Sequence, residues 1–356
     1  MADVVYHSLA VAAIEELTDD AVAVTFAVPE TLAATFRFAP GQHIGVKAEI
    51  DGQDVRRTYS VCTDPGENRL RIGVKRIPGG AFSTYATSRL RPGDHLEVAA
   101  PYGDFVIAPE PGTLRHYAAV AAGSGITPVL AMVAAVLNTE QESRFTLLFG
   151  NRTSTSIMFL EELEGLKDRY PDRFHLIHVL SREAQIVPIL SGRLDEPKLE
   201  DLFTTLVDVD SVDGWYLCGP FEMVEATRNV LADHGVDPAA IHDELFFSEP
   251  TPPAPPSTVE DAVGAVRLRF TLDGRTTATA VDPDGPPILS YALAERRDTP
   301  FSCRGGMCTT CKAQVIEGAV KMDLNFALTA EDLAKGYILT CQAHPTSEKL
   351  EITYDV

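Results

Sequence analysis

Alternation of apolar and polar residues marks the first third of the chain, in runs such as AVAVTFAV, HIGVKAEI and LRIGVKRI. Turn signals at Pro40-Gly41, Asp51-Gly52 and Pro92-Gly93 divide these runs. A period of two with such breaks predicts short antiparallel strands, and their number over residues 1–112 predicts a closed antiparallel β-barrel. From residue 113 to 247 the period changes. Compact apolar runs (HYAAVAAG, RFTLLFG, FHLIHVLS, WYLCG) alternate with helical patterns over 128–137, 159–169 and 221–234. Strand and helix in alternation predict an α/β unit with a parallel sheet covered on both faces. Residues 248–262, carrying SEPTPPAPPSTVED, have no apolar period and are proline-rich, so they read as a semi-rigid extended tether. Beyond it, residues 263–356 hold a hairpin turning at Asp273-Gly274, an amphipathic helix in ILSYALAERR and a strand in KLEITY, which predicts a small α+β module. No internal repeat is present.

A chain of 356 residues with 45% hydrophobic content is long enough for these three units, each with its own core. No apolar run approaches the ~20 residues that span a bilayer. The start, MADVVYHSLAVAAIEELTDD, lacks the basic flank and cleavage site of a signal peptide, so a cytoplasmic location is expected. The net charge of −21 argues against nucleic acid or an anionic membrane as partner. From Val263 onward 12 acidic and 10 basic residues leave −2, so −19 lies before it, a distribution suited to a solvated acidic surface.

The densest chemistry is SCRGGMCTTCK. Cys303, Cys308 and Cys311 stand as C-x4-C-x2-C, and Cys341 follows in YILTCQAHP, the plant-type spacing for a [2Fe-2S] cluster. Gly305 and Gly306 let the loop fold tightly and aim N–H donors at sulfur. Zinc is the competing reading, but zinc sites usually pair two short C-x2-C knuckles, whereas here three cysteines share one loop. Cys62 and Cys218 remain, as thiols in a reducing compartment.

In the α/β unit, strand HYAAVAA runs into Gly123, Ser124, Gly125, Ile126, Thr127 and Pro128. Glycines at a strand end admit a phosphate to the backbone, and a proline in the first helical turn leaves N–H groups facing an anion. The pattern is not G-x-G-x-x-G, and alone it is as compatible with a structural turn. Ser181-Arg182 after HVL and Cys218-Gly219-Pro220 after WYL mark two further strand ends where open parallel sheets bind ligands. An arginine there can pair with the 2′-phosphate of NADP(H), or be a surface charge. In the barrel, Arg57, Tyr59 and Ser60 offer a diphosphate partner, a planar ring and a hydroxyl for a ring nitrogen, as a flavin requires, and Gly79-Gly80-Ala81-Phe82-Ser83 allows close approach. An ordinary strand and turn is the alternative.

RTYS, GGAFS, GSGITP, CGP and the cysteine loop occur in the order of the ferredoxin-reductase superfamily fused to a C-terminal plant-type ferredoxin, and the resemblance covers essentially the whole chain. Within it the sequence most resembles the reductase components of bacterial phenylacetyl-CoA (ring 1,2-) epoxidases. YHSLAVA, RFAPGQH, LFGNRTS, SGRLD, CRGGMCTTCK and GAVKMDLNFALTAEDLAKGYILTCQA carry that likeness. Reductases of steroid 9α-hydroxylation are similar in architecture. The resemblance implies an FAD-binding barrel, an NADP-binding α/β domain and a β-grasp-like ferredoxin domain. Arg57, Tyr59 and Ser60 would bind FAD, with Ser60 near the flavin N5; Gly80, Phe82 and Ser83 would hold its diphosphate, with Val74 and Lys75 also in the cofactor set. Gly123, Ser124, Gly125, Thr127, Pro128, Arg152, Ser181, Arg182 and Gly219 would bind the dinucleotide, with NADPH favoured over NADH. Cys218 would lie near the hydride-donating carbon, Glu244 would be the catalytic carboxylate that ends the family's reductase module, and Phe246 (or Phe247) would cover the flavin face. The implied partners are the diiron oxygenase subunits of a phenylacetyl-CoA epoxidase complex. A reductase for another oxygenase, a redox-sensing iron-sulfur flavoprotein and a stand-alone flavin or ferric reductase are the rivals.

Overall fold

The computed structural model describes residues 5–246, 265–296, 298–301, 304–306, 309–325 and 327–356. The tether at 248–262, Phe247, Cys303 and Cys308 lie outside the described residues. Val5–Ser248 form one compact unit, and a second lies within Glu249–Val356.

The first unit opens with six antiparallel strands: β1 (Tyr6–Thr18), β2 (Ala21–Ala27), β3 (His43–Ile50), β4 (Gln53–Ser60), β5 (Leu70–Lys75) and β6 (His95–Ala99). They lie in the order β4-β3-β6-β1-β2-β5. The two edges meet through a bridge between Val61 and Ile72, closing the barrel over Leu9, Val24, Ile44, Val46, Ile72 and Val98. The GGAFS stretch, for which an ordinary turn was the alternative reading, turns at Gly79 and then starts helix α1 (Ala81–Ser88). Phe82 and Ala86, four residues apart, sink one face of this helix into the barrel end.

A parallel sheet follows: β7 (His116–Ala122), β8 (Arg144–Asn151), β9 (Phe174–Leu180), β10 (Gly214–Gly219) and β11 (Ile241–Leu245), in the order β11-β10-β7-β8-β9. Helices α2 (Ile126–Thr139), α3 (Leu160–Arg169), α4 (Glu196–Thr205) and α5 (Phe221–Asp233) connect and cover it. The chain steps outward from β7 to β9 and then returns beside β7 as β10. The crevice at the carboxyl ends of β7 and β10 is therefore the switch point at which such sheets bind ligands. Every residue of α2 from Ile126 to Leu137 is buried. The reason is that α2 packs on both sides, against sheet residues Tyr117, Ala119, Leu147 and Phe149 and barrel residues Ala21, Ala23, Phe105 and Ile107. Each such aliphatic side chain contributes ~1.5–3 kcal/mol when buried, so barrel and sheet share a core rather than a surface contact. Gly73 marks the closeness: a Cβ there would lie 2.7 Å from Thr127 Cγ2 and 2.9 Å from the Phe159 ring.

The second unit is α+β. Strands β12 (Val266–Leu272), β13 (Arg275–Val281), β14 (Lys312–Glu317), β16 (Tyr337–Leu339) and β18 (Lys349–Thr353) form a mixed sheet ordered β13-β12-β18-β14-β16. β15 (Val320–Met322) and β17 (Ala343–Pro345) pair separately, with α6 (Ile288–Glu295) and the short α7 (Ala330–Ala334) packed alongside. The hairpin turns where expected. Asp273 and Gly274 have φ of 52° and 69°, the left-handed pair of a two-residue turn, and both N–H groups donate to the Asp355 carboxylate at 2.7 and 2.8 Å.

Candidate cofactor and cluster sites

Strand register gathers the first set of residues. Ser60, ending β4, is the Cα partner of His43 on β3, and His43 bridges Tyr102. Cys218 on β10 is the partner of Glu244 on β11. The two pairs then meet across the barrel–sheet junction. Ser60 Oγ donates to Glu244 Oε2 at 3.3 Å, and His43 Nδ1 lies 3.0 Å from Glu244 Oε1. Ser60 is 2% exposed, and the side chains of His43 and Glu244 are partly buried, at 12% and 15% exposed. Cys218 is fully buried, and burial, with Glu244 and Asp243 adding to it, pushes its thiol well above the ordinary value. The neutral thiol is therefore the form present. His43 was not a candidate from the sequence; its ring stands edge-on to Tyr102 at 4.3 Å and completes the Glu244 contacts.

Alternation on β4 puts Arg57 and Tyr59 on the face opposite Ser60. The Tyr59 ring lies 5.3 Å from that of Phe82, which joins β4 to α1. Helix α1 is capped by Gly80 without a side-chain hydrogen bond, so its first-turn N–H groups have no side-chain cap. Ser83 Oγ instead accepts from Ile77 N at 3.1 Å and donates to Gly80 O, fixing the loop that leads into the helix. An uncapped helix start, joined through Tyr59 and Phe82 to the strand that carries Arg57, fits a diphosphate. Two candidates sit otherwise. The Val74 side chain is inside the barrel core, and Lys75 Nζ is held by Ser156 O at 3.5 Å and Asp20 at 3.2 Å.

At the switch point, Gly123, Ser124 and Gly125 form a single 3-10 turn leading into α2. Gly123 has φ of 55°, and a Cβ on Gly125 would lie 2.2 Å from the Cys218 carbonyl oxygen. The turn is thus pressed against the end of β10, with Thr127 Oγ1 donating back to Ser124 O at 3.0 Å and Pro128 buried in the first turn. Phe246 N donates to Gly219 O at 3.2 Å, and the half-buried Phe246 ring packs on the shared core. At the ends of β8 and β9, Ser181 N and Arg182 N donate to Asn151 O and Arg152 O. Arg152, Ser181 and Arg182 are exposed together. Neither guanidinium has a carboxylate partner among the described residues, because the nearby Glu183 carboxylate accepts from Ser154 N and Oγ at 2.8 and 2.9 Å.

In the second unit Cys311 and Cys341 are buried in one apolar cluster with Leu289, Phe301, Leu328 and Leu339, and neither is in a disulfide. Gly306 has φ of 76°, and a Cβ there would lie 3.0 Å from Leu324 O. Gln342, next to Cys341, donates from Nε2 to Arg304 O at 2.7 Å, tying the two cysteine-bearing segments together. Close-packed glycine, two buried cysteines and a clamped loop fit an iron-sulfur cage.

Three family descriptions match the chain in turn: an oxidoreductase FAD-binding domain over residues 8–107, an oxidoreductase NAD-binding domain over 119–229, and a 2Fe-2S iron-sulfur cluster binding domain over 270–346. Over 98% of both chains the sequence is 42% identical to one of the subunits of the 1,2-phenylacetyl-CoA epoxidase of Escherichia coli K12. It is 31% identical to the ferredoxin reductase component of 3-ketosteroid-9-alpha-monooxygenase from Rhodococcus rhodochrous, over 97% of this chain and 96% of that one. The chain belongs to this family of oxygenase reductase components. Phthalate dioxygenase reductase, whose structure is described as modular for electron transfer from pyridine nucleotides to [2Fe-2S], has the same fold at a TM-score of 0.62, with 21% identity and 98% of each chain covered. The reductase thus combines an antiparallel FAD domain, a parallel-sheet NAD(P) domain and a ferredoxin domain. Among the described residues no helix is long and apolar enough to cross a membrane.

Proposed function

We propose that this reductase takes electrons from NADPH and delivers them, through FAD and a [2Fe-2S] cluster, to cytoplasmic diiron oxygenase subunits that epoxidise phenylacetyl-CoA. The choice of partner is carried by the 42% identity to the E. coli epoxidase component over nearly the full chain, against 31% for the steroid-hydroxylating relative. A hydride brings two electrons together, and bound FAD supplies the conversion to the single electrons that an iron-sulfur cluster accepts.

The chain's own groups bind, orient and handle protons. Arg57 and the start of α1, with Gly80, Phe82 and Ser83, hold the FAD diphosphate, and the main chain of Val74 and Lys75 lines the same pocket. Tyr59 covers a ring face. Ser60 would present its hydroxyl to the flavin N5, and Glu244, whose carboxylate accepts from that hydroxyl, would take up or return a proton there. Cys218, neutral and buried, forms an uncharged wall beside the hydride-donating carbon. Phe246 shields the flavin face until nicotinamide enters. Gly123, Ser124, Gly125, Thr127, Pro128 and Gly219 bind the dinucleotide diphosphate. Arg152, Ser181 and Arg182 take the 2′-phosphate; two exposed arginines and a serine at neighbouring strand ends, the arginines with no carboxylate partner among the described residues, support NADPH over NADH. Cys303, Cys308, Cys311 and Cys341 ligate the cluster. In this reading residues 1–112, 113–247 and 263–356 are the FAD, NADP and ferredoxin domains, and 248–262 the tether between them.

The test is NADPH oxidation by the purified protein mixed with phenylacetyl-CoA-epoxidising oxygenase subunits, with and without phenylacetyl-CoA, beside an artificial one-electron acceptor. Substrate-dependent oxidation with epoxide formed is the expected result. Reduction of the artificial acceptor alone would overturn the partner and move it to another oxygenase. Cys308→Ser should abolish transfer to the oxygenase and leave flavin reduction intact; a variant that still supports epoxidation would remove the relay.

A further inference from the structure

We propose that Tyr354 and Thr340 form a buried hydrogen-bond chain that positions Cys311 and raises the tendency of the cluster to accept an electron. The proposal rests on the reading that Cys303, Cys308, Cys311 and Cys341 hold a [2Fe-2S] cluster.

Thr340 precedes Cys341 and is fully buried. Its Oγ1 donates to the Cys311 carbonyl at 3.0 Å, and its N–H donates to the same oxygen at 3.2 Å. One candidate ligand is therefore gripped twice by the residue before another. The Tyr354 hydroxyl lies 3.1 Å from Thr340 Oγ1. The direction of the chain is forced, because a carbonyl only accepts. Thr340 must spend its proton on Cys311, so Tyr354 must donate to Thr340. Tyr354 is 4% exposed, with its ring edge-on to Phe270 at 6.3 Å, so water does not compete for either hydroxyl.

Consecutive donors in a water-free site polarise one another. Their combined effect draws electron density from the Cys311 peptide oxygen, lowering the negative potential at the adjoining thiolate. A cluster that gains one electron gains one negative charge, so this polarisation favours the reduced form. A contribution toward the lower end of the net hydrogen-bond range corresponds to about threefold in the reduced-to-oxidised ratio. At 59 mV per tenfold for one electron, that is about 28 mV.

The experiment is an EPR-monitored redox titration of the purified full-length protein. Thr340→Val should lower the cluster midpoint by about threefold in that ratio, and Tyr354→Phe should lower it less. Thr340→Ser should restore the wild-type value, and Tyr354→Phe should add nothing once Thr340→Val is present. Unchanged midpoints in both single variants with intact cluster spectra, or additive shifts in the double variant, would overturn the chain while leaving the cluster reading in place. If Thr340→Val does not take up cluster, Tyr354→Phe against Thr340→Ser decides in the same way. Wild-type protein without [2Fe-2S] absorption would instead remove the cluster reading, and this proposal with it.

Discussion

Removing Arg71 should cost less stability than removing the two carboxylates that hold it. Arg71 lies on β5 with its side chain 2% exposed, beneath the junction of barrel and sheet. Nη1 donates to both oxygens of Glu162 at 2.8 and 3.0 Å, and Nη2 donates to Glu15 at 2.7 Å. The guanidinium also lies 5.1 Å from the Phe159 ring centroid. The acids are placed differently: Glu15 is 62% and Glu162 36% exposed. In Arg71→Met the stem still fills its slot in the barrel, and both carboxylates return to water. The loss is the net value of charge-assisted bonds to solvent-reachable partners, about 1–2 kcal/mol. Replacing Glu15 and Glu162 together by alanine leaves a guanidinium buried and uncompensated, which costs about 3–5 kcal/mol. Adding Arg71→Met to that double variant should therefore recover stability. Urea unfolding reads all three, since Trp215 is the single tryptophan of the chain and is fully buried on β10 within the same compact unit. A single Arg71→Met variant as costly as the double alanine variant, or no recovery in the triple, would refute this account.

Arg182→Ala should raise KM for NADPH by roughly 10–100-fold, the value of one charge-assisted bond, and leave KM for NADH nearly unchanged; equal losses for both would sink the 2′-phosphate assignment. Glu244→Gln should slow flavin reduction by ~10²-fold in stopped-flow measurements, within the range for removing a proton-handling group, and a wild-type rate would exclude the role given to it. Burial holds His178 below its ordinary value of 6.5, and neither ring nitrogen has a hydrogen-bond partner among the described residues. The unfolded chain therefore binds the proton first. The stability contributed by neutral His178 is complete above 6.5 and is lost as pH falls toward its lowered native value. His116 and His175, also lowered chiefly by burial, act in the same direction. The urea midpoint should fall between pH 8 and pH 5.5, and His178→Leu should flatten part of that slope; an unchanged slope would discount His178.

Features written in a few adjacent residues were legible before the structure. The Asp273-Gly274 turn is one, because two positive φ values in succession restrict the residues that can stand there. The strands β2, β3 and β5 are others, since alternation announces the strand, although β2 and β5 prove buried on both faces. What was missed depends on tertiary pairing. β1 contains AVAAIEEL, whose alanines and glutamates favour helix, yet it is held as a strand by β2 on one side and β6 on the other. Helix α1 is eight residues long, too short for its period to rise above the glycine turn before it. Arg71 reads as an ordinary polar position of an alternating strand until α3 brings Glu162 from 91 residues away.

The candidate site divides along the same line. Ser60, Cys218 and Glu244 could each be nominated from its neighbours, but their meeting is a property of two sheet registers. Antiparallel pairing of β3 with β4 sets His43 beside Ser60, and parallel pairing of β10 with β11 sets Glu244 beside Cys218. The shared core around α2 then fixes the barrel against the sheet, so that Glu244 reaches Ser60 with one oxygen and His43 with the other. No local signal near PGQH announces a partner 201 residues later. For that reason the residues that hold the Glu244 carboxylate are harder to read than the carboxylate itself, and a one-residue slip in either register would separate them.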